Sequence, residues 1–369
     1  IEYLRKSVKL DPNARMSVLV LARHYLSEDK PEMALEISDD VMPLYPKADG
    51  LLEVRGRAQM ELGRFSAAEM SFEQLVNIKS TSSEALLLLA SAYDVNNNFA
   101  KLEKVANKVL STSPEDAKSR LYLAKVEASR GKWQKADDIL TEIKGDFSKS
   151  VEYSSLRGRI NLVKKDYEKA IYFFEKSFET DENISTLIQL VTAHRNSGDL
   201  NSSIKLMENW HGKYPEEMIT IASLGDAYLE KKAYKKANEK YLLILEKHPK
   251  QAAVMNNMAW SLYKLGQLDE ALVTIRKARD IASNAPSFLD TEADILLAQG
   301  DVRGAIRQYR KALDKAPNNL SFKYHLATAL VQAEDKKEAT VLLKDLKNDG
   351  RPFEGQAEAL TLLDKLVTE

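Results

Sequence analysis

PKQAAVMNNMAWSLYKLGQLDEALVTIRKARDIASNAPSFLDTEADILLAQGDVRGAIRQYRKALDKAP, residues 249–317, is the stretch that decides the fold. Within it Ala259 and Ala293, Gly266 and Gly300, and Ala271 and Ala305 each recur after 34 residues, and the end prolines Pro249 and Pro317 lie twice that distance apart. Pro12, Pro46, Pro114 and Pro215 fall on the same frame, with successive gaps of 34, twice 34, 101 and then 34 again to Pro249. Ser80, Ser148, Glu182 and Ser283 stand where the proline is missing, and the 101-residue gap is three units with one residue deleted near Asn183 or Ile184.

Two columns of small residues run through the units. The eighth position reads Ala22, Gly56, Ala90, Ala124, Gly158, Val191, Gly225, Ala259, Ala293 and Ala327. The twentieth reads Ala34, Ala68, Leu102, Ala136, Ala170, Ser203, Ala237, Ala271, Ala305 and Ala339. A helical hairpin packs closely where a small side chain lets two backbones approach, and one such contact is needed on each helix. Apolar residues recur between the columns at helical spacing, as in Leu21, Tyr25, Leu35 and Val41. Gly63, Asn97, Gly131, Gly198, Gly266 and Gly300 mark the turn between the two helices. One such hairpin cannot cover its own apolar face, so stacking on neighbours supplies the core. The period leaves no room for strands and predicts about 22 helices with no sheet.

The 369 residues are 30% charged and 44% hydrophobic, apolar enough to fold throughout. Lys and Arg (54) nearly cancel Asp and Glu (55), so no overall basic field favours nucleic acid, and no nucleic-acid partner is expected. No stretch approaches the roughly 18 consecutive apolar residues that span a bilayer, so no direct membrane insertion is expected of this sequence. The absence of cysteine excludes disulfides, thiolate nucleophiles and Cys-ligated metals.

The small eighth residue, the alanine at twenty and the closing proline resemble the tetratricopeptide repeat family over nearly the whole chain. The resemblance implies an all-α fold, a right-handed α-α superhelical solenoid of such helix hairpins. It divides the chain into residues 1–14, the second helix of a truncated repeat, with Leu4 at its buried position; residues 15–349, ten units; and residues 350–369, a C-terminal capping helix with Ala357, Leu360, Leu363 and Leu366 on one face. Irregularity is expected at 144–150 and 181–185, where the linkers lack proline. More narrowly, NNMAW (256–260), FLDTEADILLAQGD (288–301), KYHLATAL (323–330) and EATVLLKDL (338–346) resemble bacterial repeat lipoproteins of exosortase and exopolysaccharide-export systems. That likeness implies a periplasmic scaffold, lipid-anchored to the outer membrane through a segment ahead of Ile1. It departs from the family pattern at Ala293 and Asp294, where a Gly-Trp pair is usual.

Nothing in the sequence assembles into an active site. His24, His194, His211, His248 and His325 lie in five different repeats, none with another histidine three or four residues away, and are read as surface or packing residues rather than metal ligands. There is no GxxxxGK[ST] or GxGxxG phosphate loop. The acid pairs Asp39-Asp40 and Glu216-Glu217 lie near helix ends and read as solvated charge. The expectation is therefore a non-enzyme without cofactor or metal.

Binding residues follow from the resemblance, which implies that positions 2, 5, 6, 9, 12 and 13 of each first helix line the concave groove. The middle repeats place Lys118, Tyr122, Lys125, Arg159 and Arg195 there, and the later ones Asp226, Glu230, Asp290 and Asp294, so the groove changes sign along its length. Asn257 offers an amide that both donates and accepts, and Trp260, Tyr263, Tyr324 and His325 an aromatic anchor. The Lys and Asn clamp of chaperone-associated members is not reproduced, because Asn256 and Asn257 lack lysine partners. The reading is a scaffold that binds a protein or peptide in bacterial exopolysaccharide export or protein sorting. The alternative function is the regulatory arm of a larger enzyme whose catalytic domain lies outside this sequence, and the alternative location is the cytoplasm.

Overall fold

The computed structural model describes residues 11, 15–283 and 285–368. Among them are 21 α-helices, one short 3-10 turn and no strand. The expected second helix over residues 1–14 lies, apart from Asp11, outside the described residues. No helix among the described residues is long and apolar enough to cross a membrane.

The chain forms two compact units, Ile1–Ser197 and Gly198–Glu369. In the first, helices A and B alternate as α1 (Arg15–Ser27) and α2 (Pro31–Val41), α3 (Asp49–Glu61) and α4 (Phe65–Ile78), α5 (Ser83–Val95) and α6 (Phe99–Thr112), α7 (Ala117–Ser129) and α8 (Trp133–Thr141), α9 (Val151–Val163) and α10 (Tyr167–Thr180), then α11 (Ile184–Asn196). The second holds α12 (Leu200–Lys213), α13 (Met218–Glu230) and α14 (Tyr234–Lys247), α15 (Ala252–Lys264) and α16 (Leu268–Ile281), α17 (Pro286–Ala298) and α18 (Val302–Lys315), α19 (Leu320–Gln332) and α20 (Lys336–Asp349), and α21 (Gln356–Thr368). In the second unit α13, α15, α17 and α19 also touch one another in succession, giving a continuous face of A helices.

The residue seven after each eighth position adopts the left-handed conformation in all ten repeats. Glycine supplies it at Gly63, Gly131, Gly198, Gly266 and Gly300, and Asn97 once more, as the sequence suggests. Asp29, Lys165, Lys232 and Glu334 adopt it without that freedom, with φ between 56 and 64°. The stacking around them evidently outweighs the local cost, which is why these four turns escape a reading based on turn-forming residues.

The column at twenty is fully buried in every repeat, from Ala34 to Ala339, including the larger Leu102 and Ser203. The column at eight closes differently from expectation. At its glycines an aromatic ring takes the space, rather than a second backbone: a Cβ added at Gly56 would lie 2.3 Å from Phe72, at Gly158 2.4 Å from Phe174, and at Gly225 2.5 Å from Tyr241. Each ring comes from helix B, 16 residues on. Where alanine stands at eight, the residue 16 on is usually aliphatic, as in Ala124 with Leu140 and Ala259 with Ile275, each pair sharing one core cluster.

Between α8 and α9 the regular hairpin lapses. Helix α8 has only 9 residues; Gly145 turns at φ 73°, and a 3-10 turn over Asp146–Lys149 leads to Ser150, whose hydroxyl accepts from Tyr153 N at the start of α9. At the other linker Asn183 and Thr186 form a capping box that starts α11. The terminal helix begins at Gln356, and its buried residues are Ala359 and Leu363, with Leu362 and Leu366 half-buried beside them. Ala357, expected on that face, is exposed, because the helix is rotated so that Ala359 rather than Ala357 meets Leu343 and Leu346.

Candidate partner-binding face

Helices α13, α15, α17 and α19 of the second unit carry most of the residues read as binding residues. Asn257 donates its amide to Asp226 Oδ1 at 3.0 Å, a carboxylate that also accepts the Tyr241 hydroxyl at 2.8 Å. One turn further along α15, the Trp260 and Tyr263 rings lie 5.3 Å apart at 54°. The Lys264 ammonium sits 4.2 Å from the Trp260 centroid and 4.7 Å from that of Tyr263, so one internal cation already engages both rings. The two aromatics are half-buried and held in place before any partner arrives.

On α17, Asp290 and Asp294 stand one helical turn apart on one face, and His325 reaches over from α19. His325 Nδ1 lies 3.0 and 3.1 Å from the two oxygens of Asp290. The Tyr309 hydroxyl of α18 donates to Asp294. Burial raises the Asp294 carboxyl to a pKa of about 6, an effect that Asp290 adds to and His325 opposes. Burial works against the His325 imidazolium, yet its bond to Asp290 and the charge of Asp294 carry it above the usual histidine value. Tyr263 is raised by burial first and by Asp294 second, which places its hydroxyl within the field of that carboxylate.

Tyr324 differs from the other aromatics. Its ring lies 5.9 Å from His325 and 6.3 Å from Phe353, and a Cβ on Gly355 would meet it at 2.5 Å, so the terminal segment packs against it. Tyr324 and Thr328 line a cleft of about 500 Å³ shared with Ala357, Leu362 and Lys365 of α21.

The basic residues proposed from the middle repeats belong to the first unit. Tyr122 on α7 is 3% exposed, its ring flanked by the ammonium groups of Lys118 and Lys125 at 5.9 and 5.7 Å. A ring so buried holds two lysines in position more than it offers surface. Lys125 pairs with Asp94 of α5, and both line a cleft of about 190 Å³ with exposed Arg159 of α9. Arg195 is exposed in the last turn of α11. Of the eleven residues read from the sequence, seven are therefore in the second unit and four in the first.

What the sequence does not disclose is which residues meet across repeats. Position 9 of one unit meets position 6 of the next, 31 residues on, as Asp226 meets Asn257. In the same register Asp294 stands near His325 and raises its pKa. The signal in the sequence for this meeting is an acid pair at positions 5 and 9 followed by a histidine at position 6 of the next repeat.

Comparison with known proteins agrees with the hairpin array. Family models described as tetratricopeptide repeat match residues 251–283 and 296–366, and one described as anaphase-promoting complex, cyclosome, subunit 3 matches 95–177. Hsp70-Hsp90 organizing protein 1 of Glycine max is 23% identical over 58% of this chain and 38% of its own length. Tetratricopeptide repeat protein 21A of Mus musculus is 22% identical over 73% of this chain and 23% of its own length. The chain thus spans well under half the length of these relatives. The crystal structure of yeast Tom70 aligns with the whole chain and 91% of its own, at a TM-score of 0.50 and 16% identity. No enzyme family is among these matches. The alternating hairpins, their two buried columns and these matches together make the chain an all-α solenoid of tetratricopeptide-type hairpins, and they support its kinship with the tetratricopeptide repeat family.

Proposed function

We propose that this chain is a non-enzymatic interaction scaffold that binds a partner protein or peptide along the A-helix face of its second unit. The observation that carries the reading is the arrangement on α15: Trp260 and Asn257 stand outside the hairpin core and Tyr263 packs at its edge, and each is fixed by a polar neighbour, Lys264 or Asp226. Such preorganised rings lose little freedom when a partner packs on them. Asp290 and Asp294 beside them favour a segment that is partly apolar and partly basic. Hsp70-Hsp90 organizing protein is named for organizing two other proteins, which supports the same general role here. The narrower setting proposed is bacterial exopolysaccharide export or protein sorting in the periplasm, supported by the NNMAW, FLDTEADILLAQGD and KYHLATAL runs.

The test is titration of native partners against wild type, Trp260→Ala and an Arg159→Ala, Arg195→Ala control. Loss of about 2 kcal/mol or more in the tryptophan variant alone is expected. Unchanged binding there, with loss in the arginine control, moves the site to the first unit.

A further inference from the structure

We infer that Asp290, Asp294 and His325 form a binding site for one divalent transition-metal ion of the zinc and cobalt class. Each of the three offers a donor atom, and these atoms all lie within 4.8 Å of one another. Tetrahedral zinc with bonds of about 2.1 Å needs its donors about 3.4 Å apart. His325 Nδ1 lies 3.0 and 3.1 Å from the two Asp290 oxygens, a few tenths of an ångström inside that spacing, so an ion entering there takes the place of this hydrogen bond, and small side-chain rotations of Asp290 and Asp294 set the distances. The donors are one imidazole nitrogen and two carboxylates, a mixed set that suits zinc or cobalt better than the all-oxygen sets of magnesium and calcium.

Charge points the same way. Asp290 is 9% exposed and Asp294 half-buried, so two carboxylates one turn apart are drawn out of water with a single imidazole between them. The Lys264 ammonium lies over Trp260 and Tyr263 and reaches Asp294 only through its field, without an ion pair to either acid. A divalent cation balances both carboxylates at once, which one imidazolium cannot. An outer partner is also in place: the Tyr309 hydroxyl donates to Asp294. Because the ligands come from α17 and α19, a bound ion ties two successive repeats together.

The test titrates the full chain, stripped with a chelator, with cobalt(II) chloride while visible absorption is recorded, and with zinc chloride in a calorimeter. Saturation at one equivalent with ligand-field bands is expected, and one histidine should show paramagnetically shifted ring resonances. His325→Gln and Asp294→Asn should each bind at least about 10-fold more weakly, and Tyr309→Phe about 10-fold, the usual range for losing an outer-shell partner. His248→Gln, far along the sequence in another linker, should bind like wild type. Wild type without ligand-field bands at millimolar cobalt overturns the site, as does binding undiminished in both substituted chains. Should both of those lose their helical circular dichroism, the wild type decides alone: absence of a shifted histidine resonance overturns the proposal.

Discussion

Tyr309 donates its hydroxyl to Asp294 across the hairpin of α17 and α18, and Tyr241 does the same to Asp226 across that of α13 and α14. The two bonds occupy equivalent places but different surroundings. Asp226 is exposed and keeps Asn257 as a second donor, whereas Asp294 is half-buried. Tyr309→Phe should therefore cost about 1–3 kcal/mol and Tyr241→Phe about 1 kcal/mol or less, read from urea unfolding. The reverse order would mean that burial does not set the worth of this bond.

Gly225 and Gly212 make a matched pair of helical glycines. A methyl on Gly225 runs into Tyr241, while one on Gly212 meets nothing within 4 Å. Gly212→Ala should stabilise by about 0.5 kcal/mol through helix propensity. Gly225→Ala should destabilise by about 1–3 kcal/mol, and Gly225→Leu or Ala237→Leu by more, since overpacking forces the buried ring or helix aside. Equal thermal midpoints for wild type, Gly225→Leu and Ala237→Leu would show that neither column is a close contact.

Lys232 sits at φ 60° where half of the repeats place glycine. Relief of that conformation is worth about 1–2 kcal/mol, and the greater freedom of glycine in the unfolded chain returns about 0.5–1. Lys232→Gly should thus raise stability by about 0.5–1 kcal/mol. A calorimetric midpoint lower than wild type would refute the assignment of strain.

Glu292 on α17 has a side chain only 3% exposed and pairs with Arg276 and Arg279 of α16. Removing the acid strands Arg279, whose Nε already lacks an acceptor, in a partly buried inter-repeat seam. Glu292→Ala should cost about 3 kcal/mol and Glu292→Gln less, since the amide keeps an acceptor. A chemical denaturation curve unmoved by the alanine change would place the arginines in solvent instead.

The repeat frame was legible because its cause is local and recurrent: a small residue at eight and at twenty, every 34 residues, registers in any single unit. The partners of those residues were not. Tyr122 reads as a groove aromatic by position but is buried, because it joins the core cluster of Tyr93, Leu102 and Val126, with the ammonium groups of Lys118 and Lys125 flanking its ring. Trp260 reads as an open anchor but is engaged by Lys264, four residues on, a pairing visible in the sequence had cations been set against rings. The meeting of His325 with Asp290 depends on how far one hairpin is rotated against the next, which no single unit encodes. In the terminal helix Ala357 leaves the expected face while Leu363 keeps its buried place, since Ala357 and Ala359 lie about 200° apart around the axis.

The rings of Phe72, Phe174 and Tyr241 resting over Gly56, Gly158 and Gly225 bear on how such a chain can be recombined. A helix A with glycine at eight, joined to a foreign helix B bearing leucine, keeps a void; a helix A with alanine, joined to a foreign phenylalanine, meets a clash unless the ring is accommodated as Tyr309 is in the cluster it shares with Ala293. The two positions travel as a pair. The hairpin, rather than the helix, is therefore the smallest piece that can be duplicated, lost or transplanted without penalty, and breakpoints in natural or engineered rearrangements belong after helix B.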